Sequence, residues 1–554
     1  MRVGRALVLI GGLLLASPLG AQHEGHSHAG GEAELGVVHF PVSCSEAARK
    51  QFNRAVAMLH SFWYEESEKA FRQVAAADPR CGMAWWGVAM TQYHPIWYPP
   101  TPAELAAGGD AVAKARAAGA PTEREKAYIE AIGVFYDGSE GVPHKTRAAA
   151  YEKAMGQLSD KYPDDLEAAA FHAVALLWTL SVSPNDETNP RQAAAILDRI
   201  AGKMPSHPGV LHYYIHAYDT PKLAPMALDA ARTYAKVAPA VPHALHMPSH
   251  IFTRLGLWPD AIDSNRASAR TARDYERETG MAGAWDQELH ALDYLEYAYL
   301  QRGDDESARA VLDRTRAVRS VEPVGLSAAY ALSAIPVRWS VEGRRWAEAA
   351  DLKPSPADFP WEKFPIAEAM TAWARARGAI HTGDRAAAAA EIARLRAIRD
   401  RLAGAAQAYD WSVPVEILRL EAAGWLARAD GKNDEALSLL RDAAAREDAT
   451  DKHAVSPGWI VPAREQLAEV LLEIGRPGDA LKEYEAAIAV APNRFNALAG
   501  AAVAAKAADN MAAATKYSAR LIEIASPSSK RPELVAARAF MSQKIAAGGG
   551  ASSR

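Results

Sequence analysis

Cysteine is scarce in this chain of 554 residues, which contains only Cys44 and Cys81. Two cysteines exclude a disulfide-rich framework and a paired Cys-x-x-Cys metal or redox site. The sequence also lacks a P-loop, a dinucleotide-binding glycine fingerprint, a His-Glu-x-x-His zinc motif and a Gly-x-Ser-x-Gly nucleophile elbow. These absences leave the common nucleotide-dependent, zinc-protease and serine-hydrolase chemistries without support.

The chain also has no excess of positive charge. Its 67 Asp and Glu residues outnumber its 62 Lys and Arg residues, which gives a net charge of −5. This balance excludes the basic field through which proteins attract nucleic acid. After the first 22 residues, no apolar stretch is long enough to cross a bilayer. No segment shows a convincing strand-like alternation of polar and apolar residues.

The first residues have the pattern of a secretory signal peptide. Arg2 and Arg5 form a short basic region, residues 6–16 are apolar, and small residues follow up to Ala21. This pattern predicts a signal peptide over 1–21 with cleavage after Ala21. The alternative is an anchor that stays in place, but the apolar run is short for a spanning helix. We therefore expect a periplasmic or secreted protein without a membrane span after cleavage.

Residues 22–42 begin with a Gly- and His-rich sequence and are predicted to be a flexible leader. His23, His26 and His28 would bind Cu, Ni or Zn weakly, or would simply be part of a solvated tail.

From Ser43 onward the sequence is helical, with apolar residues at i, i+3 and i+4 and with breaks every 12–18 residues. The clearest repeated unit, residues 463–492, places small and bulky residues at fixed positions: Leu467, Ala468, Leu471, Ala480, Tyr484, Ala487 and Pro492. Segments 246–269 and 296–312 repeat part of this pattern, with Gly256 and Gly303 at the turns. The pattern resembles the tetratricopeptide repeat (TPR) family.

The resemblance implies an all-α fold, a right-handed α-solenoid of antiparallel helical hairpins (a TPR-like superhelix). It covers most of residues 43–545, and we predict an N-terminal array over 43–352 and a C-terminal array over 353–546. Residues 547–554 are expected to be disordered. Cys44 and Cys81 precede the first helices of consecutive hairpins, which are neighbours in a solenoid, so a disulfide between them is predicted; two buried thiols are the alternative.

Histidines recur at a spacing of 34 residues, which is the length of one repeat. His212 pairs in this way with His246, His216 with His250, and His60 with His94. Residues one period apart hold equivalent places on neighbouring repeats of a solenoid. Duplicated repeats also inherit residues without inheriting function, so the recurrence indicates a site but does not prove one.

The recurring histidines share helix faces with further polar residues. His243, His246, His250 and Arg254 step by three and four along one helix, as do His212, His216 and Asp219 before it and His290, Asp293 and Tyr297 after it. The resemblance places this face in the concave groove of the superhelix, where imidazoles of adjacent helices would converge on one ion. The predicted metal ligands are His212, His216, His243, His246, His250, His290, Asp219 and Asp293, with His60, His94 and His172 as secondary candidates.

The sequence therefore predicts an exported TPR solenoid that binds a transition metal, Cu, Zn or Fe, through stacked histidines in its groove. It leaves open whether the protein is a metal carrier or a metalloenzyme, either a metal-dependent hydrolase or an oxidoreductase. If it is an enzyme, Asp219, Asp293, Tyr213 or Tyr294 would assist proton transfer, and Arg254 would hold an anionic group of a small-molecule substrate. The alternative is a metal-free periplasmic scaffold whose TPR surface binds a protein or peptide.

Overall fold

The computed structural model describes residues 32–96, 98–179, 186–404 and 409–549. The predicted signal peptide and the leader histidines His23, His26 and His28 lie outside the described residues.

Helices account for nearly all of the regular structure. In chain order they are α1 (Glu32–Leu35), α2 (Glu46–His60), α3 (Tyr64–Ala77), α4 (Gly82–Thr91), α5 (Pro102–Ala118), α6 (Glu123–Tyr136), α7 (His144–Lys161), α8 (Leu166–Trp178), α9 (Thr188–Ala201), α10 (Pro208–Tyr218), α11 (Leu228–Val237), α12 (Pro242–His246), α13 (Pro248–Arg254) and α14 (Trp258–Thr279). They continue with α15 (Asp286–Gln301), α16 (Asp305–Arg316), α17 (Leu326–Glu342), α18 (Trp346–Ala350), α19 (Pro365–Thr382), α20 (Arg385–Leu402), α21 (Ser412–Ala429), α22 (Asn433–Asp448), α23 (Ala463–Glu473), α24 (Pro477–Val490), α25 (Phe495–Ala507), α26 (Met511–Ile524) and α27 (Pro532–Gly549). Two short 3-10 helices cover Ala224–Ala227 and Trp361–Lys363.

Successive helices pack side by side along the described chain, each against its neighbours in sequence. In the unit 463–492 the small and bulky positions of the repeat, Leu467, Ala468, Leu471, Ala480 and Tyr484, are buried as the pattern predicts. A solenoid is stabilised in this way because each hairpin buries its apolar face against the next one. The predicted all-α solenoid of antiparallel helical hairpins is therefore confirmed.

The only strands among the described residues are two of two residues each. β1 (Ala284–Trp285) pairs in parallel with β2 (Val321–Glu322), with Ala284 opposite Val321. This short pair joins the segments that lead into α15 and α17. It has no signal in the sequence because two residues are too few for a periodic pattern.

The second half of the leader is packed against the protein, whereas flexibility is predicted for all of residues 22–42. Leu35, Val38, Phe40 and Val42 are buried. The ring of Phe40 lies 5.3 Å from that of Trp86 and 4.9 Å from that of Tyr128, measured between ring centroids. The alternation of apolar residues over 35–42 is too short to predict a packed segment from the sequence.

The core also crosses the predicted boundary at 352/353. One cluster of buried residues extends from Tyr330 through Leu352 and Trp373 to Ile460. The loop 353–360 interrupts the helices without interrupting the core. At the far end of the chain, α27 continues to Gly549, so residues 547–549 of the predicted disordered tail are helical.

Cys44 and Cys81 form the predicted disulfide, with their Cα atoms 5.0 Å apart. The bridge joins the start of α2 to the start of α4, because Cys81 is the residue directly before Gly82. Among the described residues no helix is both long enough and apolar enough to span a membrane.

The C-terminal hairpins curl back onto the middle of the chain. The indole of Trp258 donates a hydrogen bond to the carbonyl of Asn493 at 2.8 Å, and the Asn493 amide donates to the carbonyl of Gly256 at 3.1 Å. The Arg302 carbonyl accepts from the Ser526 amide at 2.8 Å. These contacts join the turns of the middle hairpins to the C-terminal array.

Candidate metal centre

Six histidines predicted as ligands meet in two groups of three. The first histidine group consists of His212 and His216 from α10 and His243 from α12. The second histidine group consists of His246 from α12, His250 from α13 and His290 from α15. Within each group the three ligand nitrogens lie within 4.8 Å of one another. The imidazoles of neighbouring hairpins converge as predicted, but around two points instead of one.

The middle hairpin contributes to both groups, and its first helix is broken. The single helix predicted around His243 to Arg254 is divided at Pro248, which has no N–H to continue the helical hydrogen bonds. His243 contributes to the first group, and His246 and His250 contribute to the second. One hairpin therefore serves both groups.

The two groups are related by one repeat. His246 and His250 follow His212 and His216 by 34 residues. The third members are also equivalent, because His243 and His290 each precede the turn glycine of their hairpin by 13 residues. The groups adjoin, since the ring centroids of His216 and His250 are 6.3 Å apart.

The distances between nitrogens match those of ligands to one ion. In the first group the His212 Nε2 lies 3.0 Å from the His216 Nε2 and 3.2 Å from the His243 Nε2. In the second, the Nε2 atoms of His246 and His250 are 3.1 Å apart. Metal–imidazole bonds of about 2.0–2.1 Å place two ligand nitrogens roughly 3.0–3.4 Å apart at near-tetrahedral angles.

Hydrogen bonds to the opposite ring nitrogens determine where the imidazole protons lie. The Nδ1 of His212 faces the carbonyl of His60 at 2.7 Å, and the Nδ1 of His246 faces the Asn265 Oδ1 at 2.7 Å. The Nδ1 of His250 faces the Asp219 Oδ2 at 2.9 Å. Each partner is an acceptor; the Asn265 amide nitrogen is itself used on the Ala261 carbonyl. The protons therefore lie on Nδ1.

It follows that the Nε2 atoms of His246 and His250 present lone pairs to each other across 3.1 Å. Two such lone pairs repel unless a cation lies between them. Residues that hold the distal nitrogen of a metal-bound imidazole in this way are typical of protein metal sites.

Burial keeps these imidazoles neutral. It lowers the pKa of His212 to about 3, even though the hydrogen bond to the His60 carbonyl opposes the shift. Burial likewise lowers the pKa of His246 and His290 well below the usual value, and the neighbouring histidines add to the effect. The neutral form is the one that binds metal.

Asp219 and Arg254 lie beside the second group, where Asp219 orients a histidine and Arg254 is ion-paired; both are alternatives to the predicted ligand and substrate-binding roles. Asp219 accepts from His250, and its Oδ1 lies 2.8 Å from the Arg254 Nε. Burial alone would raise the pKa of Asp219, but Lys452 and Arg254 hold it well below its usual value. The second nitrogen of Arg254 reaches Asp451 at 2.9 Å. With both ends of its guanidinium engaged, Arg254 is not placed to hold a substrate, and Asp219 positions His250.

Asp293 points away from the histidine groups. Its carboxylate forms a buried ion pair with Arg338 of α17. Burial raises the pKa of Asp293 to about 6, and Arg338 opposes the shift. Neither histidine group includes Asp219 or Asp293, so all donors in both groups are imidazoles.

His60, a secondary metal candidate, belongs to a third buried group that could hold an ion, with Glu167 and His207, two residues that the repeat pattern does not reveal. Its Nε2 lies 2.9 Å from the Glu167 Oε2, and the other carboxylate oxygen lies 3.0 Å from the His207 Nε2. The Nδ1 of His60 faces the Tyr213 hydroxyl at 2.8 Å. His207 stands five residues before His212, and this proximity is the one sequence signal that points to it; Glu167 has no such signal.

The remaining secondary candidates are not in either group. His172 pairs with Glu152 at 3.0 Å. His94 is buried next to Tyr64, with ring centroids 4.8 Å apart. The equivalence of His60 and His94 in the repeat therefore does not place them at one site.

A segment of the C-terminal array covers the second histidine group. We call residues 451–458 the covering segment. The Tyr294 hydroxyl lies 3.0 Å from the carbonyls of Ala454 and Ser456 and 3.5 Å from the His250 Nδ1. The Lys452 ammonium lies 3.5 Å from the Asp219 Oδ2. The residues of the covering segment are about 160–240 positions along the chain from Tyr294 and Asp219, which they contact. No local sequence pattern could therefore reveal Lys452.

Comparison with models of known protein families gives no match, and neither does comparison with curated proteins. Among solved structures, the human IFIT1 dimer with PPP-AAAA is 12% identical with a TM-score of 0.36, covering 89% of this chain and 98% of that one. The APC/C hetero-tetramer Cut9–Hcn1 is 12% identical with a TM-score of 0.33, covering 82% and 76%. Naa15/Naa10 bound to HypK is 12% identical with a TM-score of 0.26, covering 90% and 92%. Similarity at this level carries no information about function.

Proposed function

We propose that the protein is an exported metalloenzyme that binds two transition-metal ions, one at each histidine group. The observation that carries the proposal is the opposition of the His246 and His250 lone pairs across 3.1 Å. Neutral, buried imidazoles that face each other in this way need a cation between them. At the first histidine group, one repeat earlier, the His212 Nε2 faces two further imidazole nitrogens at 3.0 and 3.2 Å.

The donor set favours copper. Imidazole suits Cu, Zn and Fe, whereas the usual mononuclear non-haem iron site also includes a carboxylate. Neither histidine group contains one. Copper stands at the top of the affinity order of divalent first-row metals, which makes it the first choice and zinc the second.

Three protein ligands per ion support catalysis rather than storage. Catalytic metal sites keep a position open for water or substrate, whereas structural sites are closed by four protein ligands. Copper would supply redox chemistry and zinc would supply hydrolysis. The protein contributes the dry surroundings and the orientation of His250 by Asp219.

Export is part of the proposal. The disulfide between Cys44 and Cys81 is compatible with an oxidising compartment. The alternative, a metal-free peptide-binding scaffold, is less favoured because the covering segment already contacts Tyr294, one turn from His290 on α15.

Metal content of paired variants tests the proposal. The protein is loaded with Cu²⁺ or Zn²⁺, freed of excess metal and measured by elemental analysis. We expect two ions per chain, and one ion in each of the double variants His212→Gln/His243→Gln and His246→Gln/His250→Gln. The control His172→Gln should retain two ions.

Failure to retain either metal would overturn the proposal, as would double variants that keep the full content. If a double variant melts below the working temperature, the single variants His243→Gln and His290→Gln replace it.

A further inference from the structure

A small cavity reaches the first histidine group from the side. Its volume is about 210 Å³, and His243 forms part of its wall. Aromatic side chains supply much of the remaining wall: Phe62, Trp63, Tyr64, Tyr98 and Trp285. We call this space the aromatic cavity. It is smaller than the roughly 300–1,000 Å³ of pockets for drug-sized ligands, so it suits a compound with a single ring.

Three buried polar atoms in this wall lack a hydrogen-bond partner, although the His94 Nδ1 lies 3.9 Å from the Glu104 Oε1. The Trp63 Nε1, the Tyr64 hydroxyl and the His94 Nδ1 have no hydrogen bond to any described residue. The side chains that carry them are 4%, 8% and 5% exposed. A buried donor or acceptor without a partner costs about 1–3 kcal/mol. All three atoms belong to residues that line the aromatic cavity.

The backbone beside the cavity is strained. Phe62 has φ of 56° and His94 has φ of 46°. Bulky L-residues seldom adopt these values. Phe62 does so at the turn between α2 and α3, as Arg344 does with a φ of 54° at the turn between α17 and α18. The ring centroid of Phe62 lies 4.4 Å from that of His212 and 5.7 Å from that of His243. Phe62 therefore lies between the aromatic cavity and the first histidine group.

The charges of the wall exclude anions. Among the described residues that line the aromatic cavity there is no Lys or Arg, whereas Glu65, Glu68, Glu104 and Asp286 are present. Glu68 is already paired with Arg72 at 2.6 Å. Asp286 is buried and accepts from the Ser327 hydroxyl at 2.8 Å. Carboxyl groups accept hydrogen bonds from hydroxyl groups and repel carboxylates.

We propose that the aromatic cavity is the substrate site and that it binds a small uncharged phenol. The phenol ring would contact the aromatic walls, and its hydroxyl would use the free hydrogen-bonding atoms of Trp63, Tyr64 and His94. Binding next to His243 would bring the compound to the first histidine group. The binding step does not depend on the metal; only its role as substrate rests on the proposed function.

Calorimetric titration of the metal-free and the copper-loaded protein tests this inference, with phenol, benzoate and cyclohexanol as probes. Phenol should bind both forms. Benzoate should bind at least tenfold more weakly because of the carboxylates, and cyclohexanol because it has no aromatic face.

The variants Tyr64→Phe and His94→Gln should each weaken phenol binding at least fivefold and leave the metal content at two ions. Tyr162→Phe is the control, because Tyr162 lines a separate cavity of about 790 Å³ and should have no effect. Trp63→Phe replaces any variant that melts below the working temperature.

Benzoate binding as tight as that of phenol would overturn the inference. Phenol binding that is absent, or unchanged in both variants, would do so as well and would mean that water completes the hydrogen bonds. Either result leaves the two-metal proposal standing, since metal content is measured separately.

Discussion

At the scale of single residues, the histidine ligands depend on the groups that hold their outer nitrogens. His250 is held by a carboxylate, His246 by an amide and His212 by a backbone carbonyl. The carboxylate is the only charged one of the three, and a charged acceptor forms the stronger hydrogen bond. Asp219 is therefore the residue outside the ligand set whose replacement should affect metal binding most.

The variant Asp219→Asn should lower the metal affinity of the second histidine group by roughly 10–100-fold, the usual effect of losing such a partner. The first group should keep its affinity, because its imidazoles are held by other residues. Competition with a chromogenic chelator measures both affinities. Asp198→Asn is the control, since the exposed Asp198 only accepts from Tyr214. Equal affinities in Asp219→Asn and the parent protein would contradict the role given to Asp219.

At the scale of secondary-structure elements, the turns of the hairpins serve two purposes. Gly256 reverses the chain after α13 with a φ of +64°, a conformation that only glycine adopts without cost. It also gives room to the C-terminal array, because a Cβ at Gly256 would lie 2.4 Å from the Pro492 carbonyl oxygen. Both the turn after α13 and the contact with Pro492 therefore require glycine at position 256.

Gly256→Ala should lower the melting temperature more than Gly280→Ala. Gly280 has a φ of +67°, and no atom lies within 4 Å of the place that a Cβ would take, so its replacement costs only the backbone strain of about 1–2 kcal/mol. Gly256→Ala adds the clash with Pro492. Thermal unfolding followed by circular dichroism measures both. If the two variants lose the same amount, the contact with Pro492 does not contribute to stability.

At the scale of the whole molecule, a buried ion network holds the curled solenoid closed. Arg494, at the start of α25, is fully buried and bonds to Glu342 at 2.6 Å, to Glu465 at 2.9 Å and to the Tyr297 hydroxyl at 2.9 Å. It thereby ties the C-terminal array to α15 and α17. The covering segment belongs to the same array, so this network supports the closure over the second histidine group.

Arg494→Met should destabilise the protein strongly, because removal of one partner of a buried ion pair costs about 3–5 kcal/mol. The loss should be larger at pH 8 than at pH 5. Burial raises the pKa of Glu465 although Arg494 opposes the shift, and without Arg494 it would rise further. A carboxyl with a raised pKa in the folded state destabilises it as the pH rises, and protonation at low pH relieves the cost.

Melting temperatures at both pH values check this expectation. The control is Arg446→Met, since Arg446 forms an exposed pair with Asp442 that contributes little. A loss in Arg494→Met that does not change between pH 5 and pH 8 would show that the carboxylates find other partners.

The helical repeat and the equivalence of the histidines on successive hairpins could both be predicted from the sequence alone. Both are local: the spacing of apolar residues specifies the helices, and the 34-residue period places His212 and His246 at the same position of neighbouring repeats. The pairing of Cys44 with Cys81 follows from the same adjacency.

The division of the histidines into two groups and the residues around them depend on tertiary contacts. His243 and His246 lie three residues apart on the same short helix and yet belong to different groups, and the ion pairs of Asp219 and Asp293 remove both carboxylates from the ligand sets. The curl of the solenoid brings Lys452 over the second group. Such contacts join residues up to about 240 positions apart, and a periodic pattern records only which faces are buried, not which distant segment buries them.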